Sequence, residues 1–186
     1  VNFATDPESY QPYGRDENLA RPWAIPGTPG LEHRLGGLEK EHLTGNVSYD
    51  PHNHQFMTQL RRDKVLKVAD FIPPTAIDGP DSGRLLVIGW GSTFGSIRSA
   101  CNFMRNHGHH VSHVHLRHLN PFPNDLGEIM SRFDTVVVPE MNMGQLSLLL
   151  RANYALDVQS INKVQGKPFT EAELITAFTK TLGEEA

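Results

Sequence analysis

The sequence predicts an α/β fold, a three-layer, open and mostly parallel sheet, preceded by an irregular arm. Two observations support this. From residue 84 onward, short apolar runs typical of buried strands alternate with segments of helical periodicity. Such alternation is typical of parallel strands joined by crossover helices, which cover both faces of the sheet. Residues 1–49 instead carry prolines and glycines too closely spaced for a long helix or strand.

The composition suits a globular protein and excludes some functions. The 186 residues include 17 basic and 21 acidic side chains, which give a formal charge of −4 and argue against sequence-independent nucleic-acid binding. No apolar run approaches the roughly 20 residues that span a bilayer, and no signal peptide is recognisable, so we expect no membrane contact and a cytoplasmic location. The chain begins at Val1, and a processed product or a fragment therefore stays possible.

The chain has a single cysteine, Cys101. One cysteine cannot form an intramolecular disulfide, and an iron–sulfur cluster normally takes about four cysteine ligands. Any metal centre for electron transfer would therefore lie on another chain.

The arm, residues 1–49, is irregular but contains aromatic and aliphatic side chains such as Trp23, Ile25 and Leu31. Disordered segments are poor in such residues, and long ordered irregular segments are rare unless they pack against something. We expect the arm to lie on a partner or on a preceding domain.

A first helix is predicted to follow the arm within residues 50–83. Asp50 is a good N-cap and Pro51 a favoured first helical residue, and the helix is expected to reach about residue 69. Residues 71–83, rich in proline and glycine, are expected to be a linker. One face of the helix is expected to carry Met57, Leu60, Val65 and Val68.

Residues 84–186 form the predicted α/β domain. Strands are expected at residues 85–88, 109–116, 135–138 and 156–158. Helices are expected at about 92–106, at 124–132, from Asn142 or Gly144 to about 154, and from 171 onward. Ser92 and Thr170 are the predicted N-caps of the first and last of these helices, and Gly108 ends the first.

The glycine-rich loop Gly89–Gly95 lies between a predicted strand and a predicted helix. Its spacing is GxGxxxG, not the GxGxxG of dinucleotide-binding proteins, and no acidic residue ends a second strand roughly 20 residues later. It is interpreted as a tight turn whose glycines allow close packing, with nucleotide binding or contact with a partner chain as alternatives.

The histidine-rich stretch 107–118 places His113, His115 and Arg117 on one face of a predicted strand. Two histidines at this spacing can chelate zinc, as a metal-dependent hydrolase would need, but a catalytic site wants a third ligand and the arginine repels a cation. Ordinary surface or hydrogen-bonded histidines are the simpler interpretation.

Polar residues also follow the predicted strands at their carboxyl ends, where open α/β sheets place ligand contacts. Asn142 is interpreted as a possible helix cap and Glu140 as a hydrogen-bonded residue, with a catalytic acid or base as the alternative for Glu140. The loop with Lys163 and Lys167 could hold an anion, although a solvated loop is the simpler interpretation. No nucleophile motif appears, and Cys101 has no neighbour that would favour its ionisation.

Six short sequence strings, taken together with their order and spacing, resemble those of one known family. They are Pro26–Gly30, Gly45–Pro51, Gly89–Thr93, His115–Pro123, Val138–Gln145 and Asn162–Phe169. Together they resemble the C-terminal part of the alpha subunit of 2-oxoacid:ferredoxin oxidoreductases, most closely the 2-oxoglutarate type. The similarity runs from about residue 20 to 170.

The resemblance implies a function that the residues alone do not. Members of this family decarboxylate a 2-oxoacid oxidatively with coenzyme A, thiamine diphosphate, Mg and iron–sulfur clusters, and they reduce ferredoxin. Their alpha subunit contains a domain that is similar to the C-terminal domain of transketolase. This chain resembles that domain together with the arm that connects to it. The missing N-terminal thiamine-binding domain, the beta subunit and, through the complex, ferredoxin would then be partners, and a homodimer is possible.

The resemblance also implies where chemistry is absent. The family's catalytic residues lie outside this chain, so no catalytic, cofactor-binding or metal-binding residue is carried over, and the chain alone is predicted to be inactive. The residues carried over are domain or subunit contacts: Arg117, His118, Glu140, Asn142, Gln145 and Lys163. The alternative is a free-standing nucleotide- or acyl-carrier-binding α/β module.

Overall fold

A computed structural model describes residues 1–183 and divides the chain into two compact units, Val1–Phe71 and Ile72–Ala186. The division falls after the first residue of the predicted linker, 71–83, and part of that segment belongs to the second unit's sheet. Within the described residues, no helix is long and apolar enough to cross a bilayer.

The first unit consists of the irregular arm and helix α1 (Pro51–Leu66), which continues as a 3-10 turn over Lys67–Phe71. As predicted, the Asp50 carboxylate caps α1 by accepting a hydrogen bond from the amide of His52. The side chain of Asn53 ties the arm to α1, because it accepts from the amide of His42 and donates to the carbonyl of Lys40.

The predicted apolar face of α1 is only partly correct. Met57 is 1% exposed, whereas Val65 is 43% and Val68 46% exposed. The reason lies in the arm, which contacts the first half of α1, where the ring of Phe56 packs 5.0 Å from that of His42. The second half of the helix thus keeps exposed apolar side chains.

The second unit contains a five-stranded sheet in the order β1-β3-β2-β4-β5. Its strands are β1 (Ile77–Asp78), β2 (Gly83–Trp90), β3 (Val111–Leu116), β4 (Phe133–Glu140) and β5 (Val158–Asn162). β1 runs antiparallel to β3, and the other neighbours are parallel. The register places Val87 of β2 between His113 and Val137.

Helices cover both faces of this sheet, as predicted. They are α2 (Phe94–Asn106), α3 (Leu126–Ser131), α4 (Gln145–Tyr154) and α5 (Glu171–Thr181). One core cluster joins Leu85, Val87 and Val137 to α2 and α5. The other joins the alternate strand residues, such as Leu86, to α3 and α4.

Three predicted boundaries are wrong. The linker 71–83 contains β1, since Ile77 and Asp78 pair with β3. Ser92 does not cap α2, because Gly91–Thr93 forms a 3-10 turn and the helix begins at Phe94. The last strand lies at 158–162 instead of 156–158, because α4 ends in a left-handed residue, Ala155, before the chain turns back to pair with β4.

The predicted start of the last helix is confirmed. The Thr170 hydroxyl accepts a hydrogen bond from the amide of Glu173, and the Glu173 carboxylate accepts from the amide of Thr170. This reciprocal capping box, with two acidic residues in the first turn of α5, suits the positive end of the helix dipole.

Candidate functional site

The candidate site is the edge of the sheet at which the parallel strands end. Arg117 and His118 follow β3, Glu140 ends β4, and Lys163 follows β5, where its amide donates to the Glu140 carbonyl (3.0 Å). β2 lies between β3 and β4, so about 10 Å separates the two groups. The structure therefore divides the six predicted contact residues into a β3 group and a β4–β5 group.

Glu140 has an internal role. Its side chain has no exposed surface, and its two oxygens accept hydrogen bonds from the amides of Leu146 (2.9 Å) and Ser147 (3.0 Å). Both amides lie in the first turn of α4, where a carboxylate is stabilised by the helix dipole. The predicted hydrogen-bonded role agrees with this geometry, and its predicted contact with another domain or subunit remains an untested prediction.

Asn142 and Gln145 lie beside this buried carboxylate. The Asn142 side chain accepts hydrogen bonds from the amides of Gly144 (2.7 Å) and Gln145 (3.1 Å), so it supports the turn into α4. This agrees with the helix-capping interpretation of Asn142. The side chain of Gln145 is exposed and available to a neighbouring surface.

Lys163 also has an intrachain role. Its ammonium donates to the carbonyl of Pro168 (3.0 Å) and to both oxygens of Glu173 (2.7 Å each). The hydrogen bond from Lys163, followed by that from the amide of Thr170, lowers the pKa of Glu173 to about 2. The lysine thus connects the loop after β5 to the capping box of α5.

Arg117 and His118 are exposed at the mouth of a cavity of about 1000 Å³ in the second unit. Its apolar wall includes Trp90, Phe94 and Leu119. The cavity begins at the glycine-rich loop and extends along β3. Ligand sites in proteins commonly combine such apolar walls with a few polar groups.

Three polar side-chain atoms in this region are buried without a hydrogen-bond partner among the described residues. They are Oδ2 of Asp78, Nε2 of His113 and Nδ1 of His115, and all three residues line the cavity. Asp78 lies opposite His113 in the β1–β3 pair. Because buried polar groups are rarely left unpaired, these atoms mark the wall that a polar group would contact.

The two histidines are held in their neutral form. Burial, followed by the neighbouring His115, lowers the pKa of His113 to about 4, and burial also lowers the pKa of His115. The contact of His115 Nε2 with the Gly91 carbonyl (3.2 Å) requires this nitrogen to donate. Its Nδ1 is then an acceptor, so the wall favours a ligand with N–H or O–H donors.

Gly89 creates the room for these imidazoles. A Cβ at this position would lie 3.0 Å from His115 Nδ1, 3.2 Å from His113 Nε2 and 2.7 Å from Ile97 Cδ1. This agrees with a tight turn that requires close packing. A Cβ at Gly91 or Gly95 would meet nothing within 4 Å, so close approach explains only the first glycine of the string.

The described residues offer no ligand set for an iron–sulfur cluster or a metal ion. Cys101 is fully buried in α2, and burial raises the pKa of its thiol to about 12, which disfavours the thiolate that a cluster needs. Within residues 1–183, no three His, Cys, Asp or Glu side chains converge as ligands of one metal ion. We derive no chemical step through these groups.

Comparison with known proteins found subunits of 2-oxoacid oxidoreductases among the relatives of this chain. The family described as pyruvate:ferredoxin oxidoreductase core domain II matches residues 84–174. The chain is 50% identical over 174 residues to the 2-oxoglutarate oxidoreductase subunit KorA of Mycobacterium tuberculosis, a match that covers 92% of this chain and 26% of that protein. It is 29% identical to the alpha subunit of the 2-oxoacid:ferredoxin oxidoreductase 2 of Aeropyrum pernix, over 96% of this chain and 29% of the relative.

A solved structure agrees with these matches. The 2-oxoglutarate:ferredoxin oxidoreductase of Magnetococcus marinus, determined with 2-oxoglutarate, coenzyme A and succinyl-CoA bound, superposes with a TM-score of 0.90. Identity is 29%, and the match covers 97% of this chain and 32% of that chain. The chain thus spans about a quarter of the length of the curated relatives it matches. On sequence and fold together, the chain is similar to one part of the alpha subunits of 2-oxoacid:ferredoxin oxidoreductases.

Proposed function

We propose that this chain is the C-terminal structural and assembly part of the alpha subunit of a thiamine-diphosphate-dependent 2-oxoglutarate:ferredoxin oxidoreductase. The complete enzyme would convert 2-oxoglutarate and coenzyme A to succinyl-CoA and carbon dioxide and would reduce ferredoxin. The observation that carries the proposal is the 50% identity to the mycobacterial subunit over 92% of the chain. The superposition on the Magnetococcus enzyme supports the same substrate class.

The assembly role is supported by large apolar side chains that each unit leaves exposed. In the first unit, Trp23 is 65%, Leu35 77% and Tyr49 86% exposed. In the second, Met143 is 78% and Leu148 66% exposed. Where such side chains form a contiguous patch, they mark a surface that binds another protein. We propose the preceding thiamine-binding domain and the beta subunit as the partners.

The proposal places thiamine diphosphate, Mg and the iron–sulfur cluster on other parts of the complex. The buried Cys101 and the cavity wall with its neutral histidines support this division of labour. Of the predicted contacts, Arg117, His118 and Gln145 are exposed and are retained as contacts. The unpaired, buried thiol agrees with a reducing compartment, so a cytoplasmic location is part of the proposal.

One observation favours the alternative, a nucleotide- or acyl-carrier-binding module. The cavity beside Gly89–Gly95 is lined by Asp78 and His115, whose unpartnered acceptor atoms lie buried in its wall. Saturable binding of adenosine or coenzyme A to the purified chain, abolished by Phe94→Ala, would support this module. Absence of such binding would leave the assembly role as the function of the chain.

A matched pair of variants tests the assembly role. In the full alpha subunit, Leu35→Asn should weaken association with the beta subunit, because it removes an exposed apolar side chain, whereas Arg34→Asn at the adjacent exposed position should not. Light scattering measures the complex, and 2-oxoglutarate-dependent reduction of ferredoxin measures its activity. Equal assembly and activity of both variants would contradict a role of this surface.

A further inference from the structure

The first unit buries a lysine that has no counter-ion. Lys40 is only 4% exposed, and its ammonium donates to the carbonyls of Gly36 (3.2 Å) and Leu38 (2.5 Å). Within the part of the chain that the structure describes, no carboxylate forms an ion pair with it. An isolated buried charge is costly, and an ammonium has three donors, of which the carbonyls take two.

Lys40 lines a cavity of about 330 Å³ that lies wholly within the first unit. Tyr13, Gly36, Glu39 and Arg61 also line it. Because one water molecule takes up about 30 Å³ of liquid, the cavity has room for a group of several atoms.

Glu39 is the one acid of this lining, and its charge is already offset. Its Oε1 accepts from Nη1 of Arg61 (3.1 Å), and its Oε2 lies 2.6 Å from Nδ1 of His54. These contacts, led by that with Arg61, lower the pKa of Glu39 to about 2. The carboxylate faces Arg61 and His54 and leaves Lys40 without an anionic partner.

Two further arginines surround Tyr13, a wall of the cavity. The guanidinium carbon of Arg21 lies 4.2 Å from the centre of the Tyr13 ring, and that of Arg15 lies 5.9 Å from it. Neither forms an ion pair with a carboxylate of the described residues. Burial, followed by the positive charge of Arg21, lowers the pKa of Arg15, which is the direction expected for cations held close together.

We infer that this cavity binds an oxyanion, a phosphate or carboxylate group, between the Lys40 ammonium and the arginines around Tyr13. Lys40 and Arg61 line the cavity, Arg15 and Arg21 lie beside its Tyr13 wall, and Glu39 is the one carboxylate of its lining. An oxyanion would accept the remaining N–H of Lys40 and reduce the repulsion among the guanidinium groups. The site does not depend on the proposed oxidoreductase function, since it rests on side chains of the first unit.

Calorimetric titration of the 186-residue chain tests the site at constant ionic strength. Sodium phosphate is one titrant and sodium succinate the other, so that a tetrahedral and a planar oxyanion are compared. Lys40→Met removes the charge and keeps an apolar stem, and Arg15→Gln removes the guanidinium. The control is Arg62→Gln, an α1 arginine that pairs with its neighbour Asp63 (2.7 Å).

We expect saturable binding of at least one titrant, about tenfold weaker in Lys40→Met and in Arg15→Gln and unchanged in the control. Binding of phosphate alone would indicate a phosphate-bearing ligand, and binding of succinate alone a carboxylate. If neither titrant saturates, or if both variants bind like the wild type, the inference is overturned. Lys40→Met could disturb the loop that its ammonium bonds, so the half-exposed Arg15→Gln provides an independent decision.

Discussion

Replacing Glu140 by alanine is expected to destabilise the second unit by about 3–7 kcal/mol. The carboxylate is fully buried, and it accepts the amides of Leu146 and Ser147, which belong to residues that are 1% and 3% exposed. Alanine would leave both amides without an acceptor, at about 1–3 kcal/mol each. Loss of a negative charge at the start of α4 adds about 1 kcal/mol.

Glu140→Gln separates hydrogen bonding from charge. The amide oxygen can still accept one of the two N–H groups, whereas its NH₂ faces the other, so about half of the alanine effect is expected. Asn142→Ala is the control in the same loop. Its half-buried side chain also accepts two amides, but water can replace it there, so we expect about 1 kcal/mol.

Urea unfolding followed by circular dichroism measures these differences from the midpoints, at an unchanged dependence on urea. The expected order of stability is wild type, Asn142→Ala, Glu140→Gln and Glu140→Ala. If both Glu140 variants unfold within 1 kcal/mol of the wild type, the carboxylate does not hold α4 against the sheet, and the internal role assigned to it is wrong.

Three further predictions concern Gly89, His113 and Cys101. Gly89→Ala should lower the free energy of unfolding by about 1–3 kcal/mol, because its Cβ would meet His115, His113 and Ile97. Gly95→Ala on α2, where a Cβ meets nothing, should be neutral or stabilising by up to about 1 kcal/mol. Equal melting temperatures of the two variants would contradict the clash. The pKa of His113 is lowered from 6.5 to about 4, so between these pH values the unfolded chain binds more protons than the folded one. The free energy of unfolding should therefore fall by about 3 kcal/mol in total as the pH drops from 6.5 to 4. An equally steep fall in His113→Asn would exclude His113 as the cause. Burial raises the pKa of Cys101 to about 12, so a disulfide reagent should label the native thiol at least about 100-fold more slowly than the thiol in guanidinium chloride; comparable rates would place the thiol at the surface.

Much of the second unit follows from local sequence. The strands around Val87 and Val137 are apolar runs buried on both faces, and Thr170 with Glu173 forms the capping box that its spacing indicates. β1 could not be predicted, because it has two residues and exists only through its pairing with β3. The exposed half of α1 could not be predicted for a similar reason. The periodicity of the helix predicts an apolar face, but it does not show which part of that face another segment covers.

The candidate site could be predicted only in outline. The position of Glu140 and Asn142 after a buried strand indicated hydrogen-bonded roles, and the structure supplies the amides that they accept. The unpartnered atoms of the cavity depend on the register of β1 against β3, which brings Asp78 opposite His113. The buried ammonium of Lys40 had no local signal either, because its burial depends on how the irregular arm folds back on itself.

The most direct test of the assembly role is reconstitution of the complete oxidoreductase. The 186-residue chain is added to a preparation of the remaining alpha and beta segments that lacks these residues, and reduction of ferredoxin is measured with 2-oxoglutarate and coenzyme A. We predict no turnover by the chain alone, little by the incomplete preparation, and recovery when both are combined. Turnover by the chain alone, or full activity of the preparation without it, would contradict the proposal that this chain assembles an enzyme whose chemistry lies elsewhere.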